Sequence, residues 1–490
     1  MNAICVLLDS LNRHFLPAYG NPTVATPNLE RLRQRAVTFD NAWIGSAPCM
    51  PCRRDLWTGN QEFLWRPWGS LEPWDCPLPR TLRAAGVFTG LVSDHYHLWE
   101  AGGENYHTDF ESWEFVRGHE NDPWIGGATP EADVGKGHVA PRYRRNRQRF
   151  LNEEDWLAPR TFRAAARWLE ENARTQERFF LMVDEFDPHE PFDCPEEHWR
   201  RYDPDWRGPR DFYWPKYGRN AFTPEEARHI RARYAGKVTL ADRYLGRLLD
   251  RMDDLGLWDN TALIVMTDHG HFLGEHDWWG KPCCPQYRAI ANVPLFVHVP
   301  GAPAGTRSPA LVTAVDLHAT LLAWMGVRAP APTDGVSLLP VLRGARSAVR
   351  DAVLFGWWGS YVNWTDGRYV YMRAPARPDN QPLCFYTNRW STAPWWHLPG
   401  PDDRTQFGRF MARVAMPVGR QPVTPEEMAR LHIDLETLCG GSLLFDLAAD
   451  PGETRNLAGT PLEAQCAARL RATLARQGCP PEQFERLGLT

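Results

Sequence analysis

The residues of this chain that could do chemistry fall in five short strings. Cys49-Met50-Pro51-Cys52-Arg53-Arg54 sets two thiols three positions apart beside two permanent cations. Asp9 closes an apolar run, and Ser93-Asp94-His95-Tyr96-His97 brings two imidazoles. Asp184-Glu185-Phe186-Asp187-Pro188-His189-Glu190-Pro191 mixes carboxylates with one more imidazole, and Thr267-Asp268-His269-Gly270 precedes Lys281. Imidazole exchanges a proton near neutral pH, carboxylates and imidazole nitrogens ligate metals, and a thiolate is a nucleophile or a ligand. A CxxC pair taken alone reads as half a zinc site or a redox couple. No second CxxC and no Cys–His pair at zinc spacing accompanies it, and two arginines directly after it do not suit a metal knuckle.

The elements that must position these strings are apolar runs. Residues 3–8 are short and continuously apolar, the pattern of a strand buried on both faces of a parallel sheet, and 87–92, 179–183 and 260–266, mostly apolar, read as further buried strands. In such sheets ligands bind beyond the carboxyl ends of the strands, so four of the strings are delivered to one edge. Asp9 by itself could equally cap a turn. Helices are predicted over 78–85, stopping at Gly86, over 157–173, and over 224–255 between an N-cap at Thr223 and a stop at Gly256. Past about residue 350 the pattern changes to antiparallel strands, 351–355 and 361–372, turning at Asp366-Gly367, with a last helix over 461–477. The expected architecture is therefore α/β: a large mixed, mostly parallel sheet flanked by helices over 1–350, and a smaller α+β unit over 351–490.

With 43% hydrophobic and 23% charged residues, the 490-residue chain has the composition of a soluble globular enzyme. A net charge of −5 provides no field to recruit nucleic acid or an anionic membrane. The 11 cysteines are odd in number and scattered, which fits a reducing compartment better than a disulfide framework. Without a basic leader, a cleavage site or an apolar run of roughly 18 to 20 residues, the expectation is a cytoplasmic protein with no membrane contact. Three loops stand out. Trp65, Trp68 and Trp74 either stack on a substrate ring or pack their loop onto the body. Five arginines between Arg142 and Arg149 form a solvated face or rim an entrance. Residues 193–222, long and irregular, suit a lid or binding loop.

Cys49-Met50-Pro51-Cys52-Arg53, closing with Leu56-Trp57-Thr58-Gly59, resembles the C-x-P-x-R signature of the type I, formylglycine-dependent sulfatases of the alkaline phosphatase superfamily. Leu8-Asp9-Ser10, Pro188-His189-Glu190-Pro191-Phe192, Thr267-Asp268-His269-Gly270 and Gly280-Lys281 match further motifs of that family, in its order. The resemblance implies that a formylglycine-generating enzyme oxidises Cys49 to an aldehyde, whose hydrate attacks sulfur. It implies one divalent cation held by Asp9, Cys49, Asp268 and His269. It also implies Arg53, His95, His97 and Lys281 on the anion, and His189 giving a proton to the leaving group. Pro51 is expected to keep the segment extended on its way into a helix whose N-terminus faces the anion. Oxygen donors suit calcium or magnesium, and the imidazole nitrogen brings in manganese; calcium is placed first. Two positions depart from the family. Ser10 replaces a frequent second aspartate, as in the phosphonate monoester hydrolase branch, and His95 replaces a lysine. The implied activity is hydrolysis of a small anionic sulfate ester, of a sugar or an aryl group. A phosphonate monoester or phosphodiester hydrolase, or an unmatured anion-binding relative, is the alternative.

Overall fold

The apolar runs become strands for the reason their composition suggests. Every side chain of Asn2–Leu8 is buried, with Ala3, Cys5 and Leu7 entering one apolar core and Ile4, Val6 and Leu8 the other. That alternation is the two-residue period of a strand, and each large aliphatic chain so buried contributes about 1.5–3 kcal/mol. The structure, a computed structural model, describes residues 1–283, 285–396, 399–430, 433 and 435–490.

Eight strands form the main sheet, in the order Thr306–Val312, Val37–Ala42, Leu295–His298, Thr261–Met266, Asn2–Leu8, Phe179–Glu185, Phe88–Ser93 and Ser112–Phe115. Leu295–His298 is antiparallel to both its neighbours, and every other adjacent pair is parallel. Leu7 stands opposite both Asp184 and Met266, and Ser93 is also level with Asp184. Four parallel strands therefore end together, and Asp9, Asp94–His97, Phe186–Glu190 and Thr267–His269 leave the sheet along one edge. Helices Leu157–Asn172 and Pro224–Asp254 cover one face; the second opens on a capping box between Thr223 and Glu226. Ser112–Phe115, inside a stretch with few apolar residues, is an edge strand with Trp113 and Glu114 exposed, which is why no apolar run marked it.

A second, five-stranded sheet holds Val353–Trp357, Val362–Thr365, Tyr369–Arg373 and Leu443–Asp446 in antiparallel pairs. Its fifth strand is Ser46–Ala47, which pairs with Gly356 and Trp357. The residues just ahead of Cys49 are thus tied to a chain segment some three hundred positions away. Helix Pro461–Arg476 packs on this sheet, and a short helix not foreseen, Pro481–Arg486, follows it. Among the described residues no helix is long and apolar enough to cross a membrane.

Candidate active site

Helix Cys49–Thr58 starts at Cys49 itself, so Pro51 lies inside its first turn and does not hold an extended lead-in. First-turn N–H groups have no intrahelical acceptor, and proline there forfeits nothing. Gly59 ends the helix with φ 72°, its N–H bonded to the Asp55 carbonyl. The Asp55 carboxylate reaches back to accept from Ser46 N at 2.6 Å and Ser46 Oγ at 2.8 Å. A Cβ at Gly45 would sit 2.1 Å from Asp55 Oδ2, so only glycine admits this closure.

Ligand atoms of Asp9, Cys49, Asp268 and His269 all lie within 4.8 Å of one another, and all four residues are buried. Cys49 Sγ is 3.2 Å from His269 Nε2, while His269 Nδ1 bonds the Gly270 carbonyl at 2.8 Å. Burial lowers His269 to about 4, leaving the neutral imidazole that ligates metals. Burial, and then the nearby Asp268, push the Asp9 carboxyl well above its usual range. One guanidinium, Arg53, faces three buried carboxylates here, so negative charge remains to be offset, and the oxygen, nitrogen and sulfur donors fit a divalent ion. Burial also raises the thiols of Cys49 and Cys52 well above normal. A raised pKa disfavours the thiolate, the form that both redox exchange and nucleophilic attack by an unconverted Cys49 need.

Arg53, expected against the anion, is fully buried among carboxylates. Its Nη2 lies 2.6 Å from Asp184 Oδ1 and 3.0 Å from Asp9 Oδ2, and its Nη1 lies 2.8 Å from Asp268 Oδ2. Asp184, which sequence reasoning did not single out, also accepts from Arg53 Nε at 3.0 Å.

A cavity of about 360 Å³ opens over Cys49, with Lys281, His97, His189 and Glu190 around it and a wall of Trp68, Trp214, Tyr217, Trp357 and Trp395. Lys281 Nζ donates to Ser10 Oγ at 3.0 Å, and Ser10 Oγ donates to Asp9 Oδ1 at 2.7 Å. Ser10 takes the left-handed φ of 61°, held by a 2.7 Å bond from Tyr234 Oη to its carbonyl. His97 sits between Glu100, bonded at Nδ1, and Glu120, 3.4 Å from Nε2. Burial would lower its pKa, but the two carboxylates outweigh that and raise it, which favours the imidazolium. His189 Nδ1 bonds the Glu190 carbonyl at 2.6 Å, and burial keeps the free ring well below its usual pKa and neutral.

His95 needs correction. It does not border the cavity: it packs edge-on to Phe186 at 4.2 Å, 3.8 Å from Asp9 Oδ2, and burial holds it neutral. A neutral ring shut behind Asp9, away from the cavity lining, is not placed to hold an anion. Of the three tryptophans after Gly59, only Trp68 reaches the cavity; Trp65 packs against Tyr386 and Trp74 against the C-terminal core. Residues 193–222 contribute Trp214, Lys216 and Tyr217. Arg144 and Arg147 instead line a larger cleft, about 590 Å³, that contains none of the five strings, with Arg147 paired to Asp193 at 2.8 Å. Glu190 lay within a recognised string, but Glu120, Trp357 and Trp395 carried no local signal.

A sulfatase family model matches residues 1–327. Arylsulfatase K of Rattus norvegicus is 27% identical over 374 residues, 69% of this chain and 62% of its own, so the chain spans under two-thirds of that relative. The multifunctional alkaline phosphatase superfamily protein PehA of Trinickia caryophylli is 27% identical over 537 residues, covering 94% of this chain and 92% of its own. In three dimensions the fold is similar to the phosphonate monoester hydrolase of Agrobacterium radiobacter, with TM-score 0.67 and 20% identity over 97% of this chain and 95% of that one.

Proposed function

The chain belongs to the sulfatase family, and from that premise we propose that it hydrolyses sulfate monoesters in the cavity over Cys49. In this reading Cys49 is matured to formylglycine by a formylglycine-generating enzyme, and Asp9, residue 49, Asp268 and His269 hold one divalent cation, calcium before manganese or magnesium. The observation that carries it is a buried four-residue donor set whose Cys49 lines a cavity that Lys281 and His97 also border. Hydrated formylglycine would supply an oxygen nucleophile, and the cation would supply positive charge at that oxygen and at the group transferred.

The chain's own residues do the rest. Lys281 and His97 set positive charge where the ester's oxygens would lie. Arg53 binds Asp9, Asp184 and Asp268 together and so fixes the donor set. His189, its Nδ1 pinned by a carbonyl, has only Nε2 free to carry a proton to the leaving oxygen. An arriving anion opposes the burial that keeps this ring neutral, so it charges with substrate present.

Because Glu100 and Glu120 raise His97, the form that holds the anion persists above the usual histidine range and is lost as pH rises further. Glu120→Gln is expected to move the alkaline limb of kcat/KM to lower pH; a limb that stays put takes His97 out of anion binding. The five aromatic faces suit one flat ring. Trp395→Ala should raise KM for an aryl sulfate about tenfold, the effect of roughly 1.4 kcal/mol of lost ring contact, with kcat nearly kept. An unchanged KM would put the ring elsewhere.

Ser10 supports a second reading, phosphonate monoester hydrolysis, since a neutral hydroxyl stands between Lys281 and Asp9 where the family often has a carboxylate. Both substrates are monoanions, so charge does not rank them. Parallel kcat/KM on matched aryl sulfate and aryl phosphonate monoesters does, and a faster phosphonate reaction would overturn the sulfate assignment.

A further inference from the structure

Next to the His189 loop, and outside the cavity lining, a second group of polar side chains is closed off from solvent. Lys237, midway along helix Pro224–Asp254, is 2% exposed. Its ammonium lies 2.6 Å from Asp187 Oδ1 and donates to the carbonyls of His189 at 2.6 Å and Pro191 at 2.8 Å. An ammonium has three N–H bonds, and these acceptors use all of them. His119 Nε2 stands 2.9 Å from the same Asp187 oxygen and 3.3 Å from Lys237 Nζ. Burial, followed by Lys237, lowers His119 to about 4, so it is a neutral ring whose Nε2–H donates to Asp187. Asp94, His119 and Asp187 are close enough to hold an ion, but the Lys237 ammonium already stands beside His119 and Asp187 and supplies the positive charge there.

Two active-site segments meet at this lysine. The loop 187–191 carries His189 and Glu190, which border the cavity, and His119 is followed by Glu120, the partner of His97 Nε2. The backbone of His189 has its carbonyl fixed by Lys237, and its N–H bonds Phe186 O at 2.9 Å. The ring that faces the leaving group is therefore aimed from the long helix.

We propose that Lys237 is a positioning residue for proton delivery to the leaving group. The proposal rests on the reading of His189 as the donor. As an oxygen of the residue 49 hydrate bonds to sulfur and the S–O bond to the leaving group breaks, the electron pair of the broken bond stays on the leaving oxygen, which takes the proton from His189 Nε2. A misplacement of about 1 Å in a catalytic group can cost roughly a hundredfold in rate. The loss is felt most where the leaving oxygen is most basic, because a good leaving group departs without its proton.

The test uses the matured, metal-loaded protein and a series of aryl sulfates whose phenols differ in pKa. His189→Ala is expected to steepen the fall of log(kcat/KM) with phenol pKa. Lys237→Met should steepen it in the same sense, losing about 10- to 100-fold on the most basic phenol and little on nitrophenol, with Lys237→Arg between it and the wild type. Formylglycine content, bound metal and the thermal midpoint are measured on each variant. A uniform loss across the series in Lys237→Met, with His189→Ala still steep, would overturn the proposal and leave the His189 reading standing. A slope unchanged in His189→Ala would sink both. Should Lys237→Met not fold, Lys237→Arg decides: its planar guanidinium cannot reproduce three bonds from one nitrogen, so its slope must steepen, and an unchanged slope counts against positioning.

Discussion

Cys49→Ala should abolish turnover of every sulfate ester the wild-type protein accepts, a loss of at least about a thousandfold, as expected when a covalent nucleophile is removed. The surrounding geometry survives that change, because the helix is held by Asp55, Ser46 and Gly59, not by the thiol. Maturation has its own signature: conversion of the thiol to the aldehyde lowers the intact mass by about 18 Da, the kind of covalent change that alters the charge and reactivity of a site. Burial holds the unconverted thiol well above its normal pKa, so protein lacking the mass shift should be as inactive as the alanine variant. Cys49→Ser sharpens the test. A serine oxygen can attack once but cannot expel sulfate by reforming a carbonyl, so the expected result is at most one equivalent of product. Sustained turnover by either variant would remove residue 49 from the chemistry.

Dialysis against a strong chelator should lower turnover by about a hundredfold or more, the scale on which a Lewis acid stabilises transferring charge, and return of calcium should restore it. Without a metal ion the cluster keeps Asp9 and Asp268 side by side in a buried site, with Arg53 and Lys281 to offset them. The thermal midpoint is accordingly expected to drop with the metal, and to drop further in Asp268→Asn, which also breaks the 2.8 Å contact with Arg53. His269→Asn replaces a nitrogen donor by an oxygen and should shift the preference from manganese toward calcium. Full activity in protein shown by elemental analysis to hold no metal would end the metal reading.

Much of this arrangement was legible locally. Four apolar runs announced four parallel strands, and an open sheet presents whatever follows such strands along one edge, so the gathering of Asp9, Asp268 and His269 could be anticipated; that Cys49 joins them was implied only by the family resemblance. The turn at Asp366-Gly367 and the capped helix from Thr223 were equally plain, since each depends on neighbours within a few residues. Other assignments were ambiguous by nature. His95 and His97 lie two positions apart, yet one is buried beside Asp9 with its pKa held well down and the other has its pKa raised by Glu100 and Glu120.

What this sequence determined unaided was the periodicity of its elements and the kinds of groups at their ends, because burial on both faces of a strand and the capping of a helix are decided by adjacent residues. Tertiary structure alone decided which groups touch. Arg53 meets Asp184 across 131 positions, Lys237 reaches the loop beneath His189 from a different layer, Ser46 pairs with Gly356, and Trp68 faces the cavity while Trp65 does not. Such contacts depend on how distant segments are brought against one another, and the electrostatics of a buried site follow those contacts more than the residue types themselves.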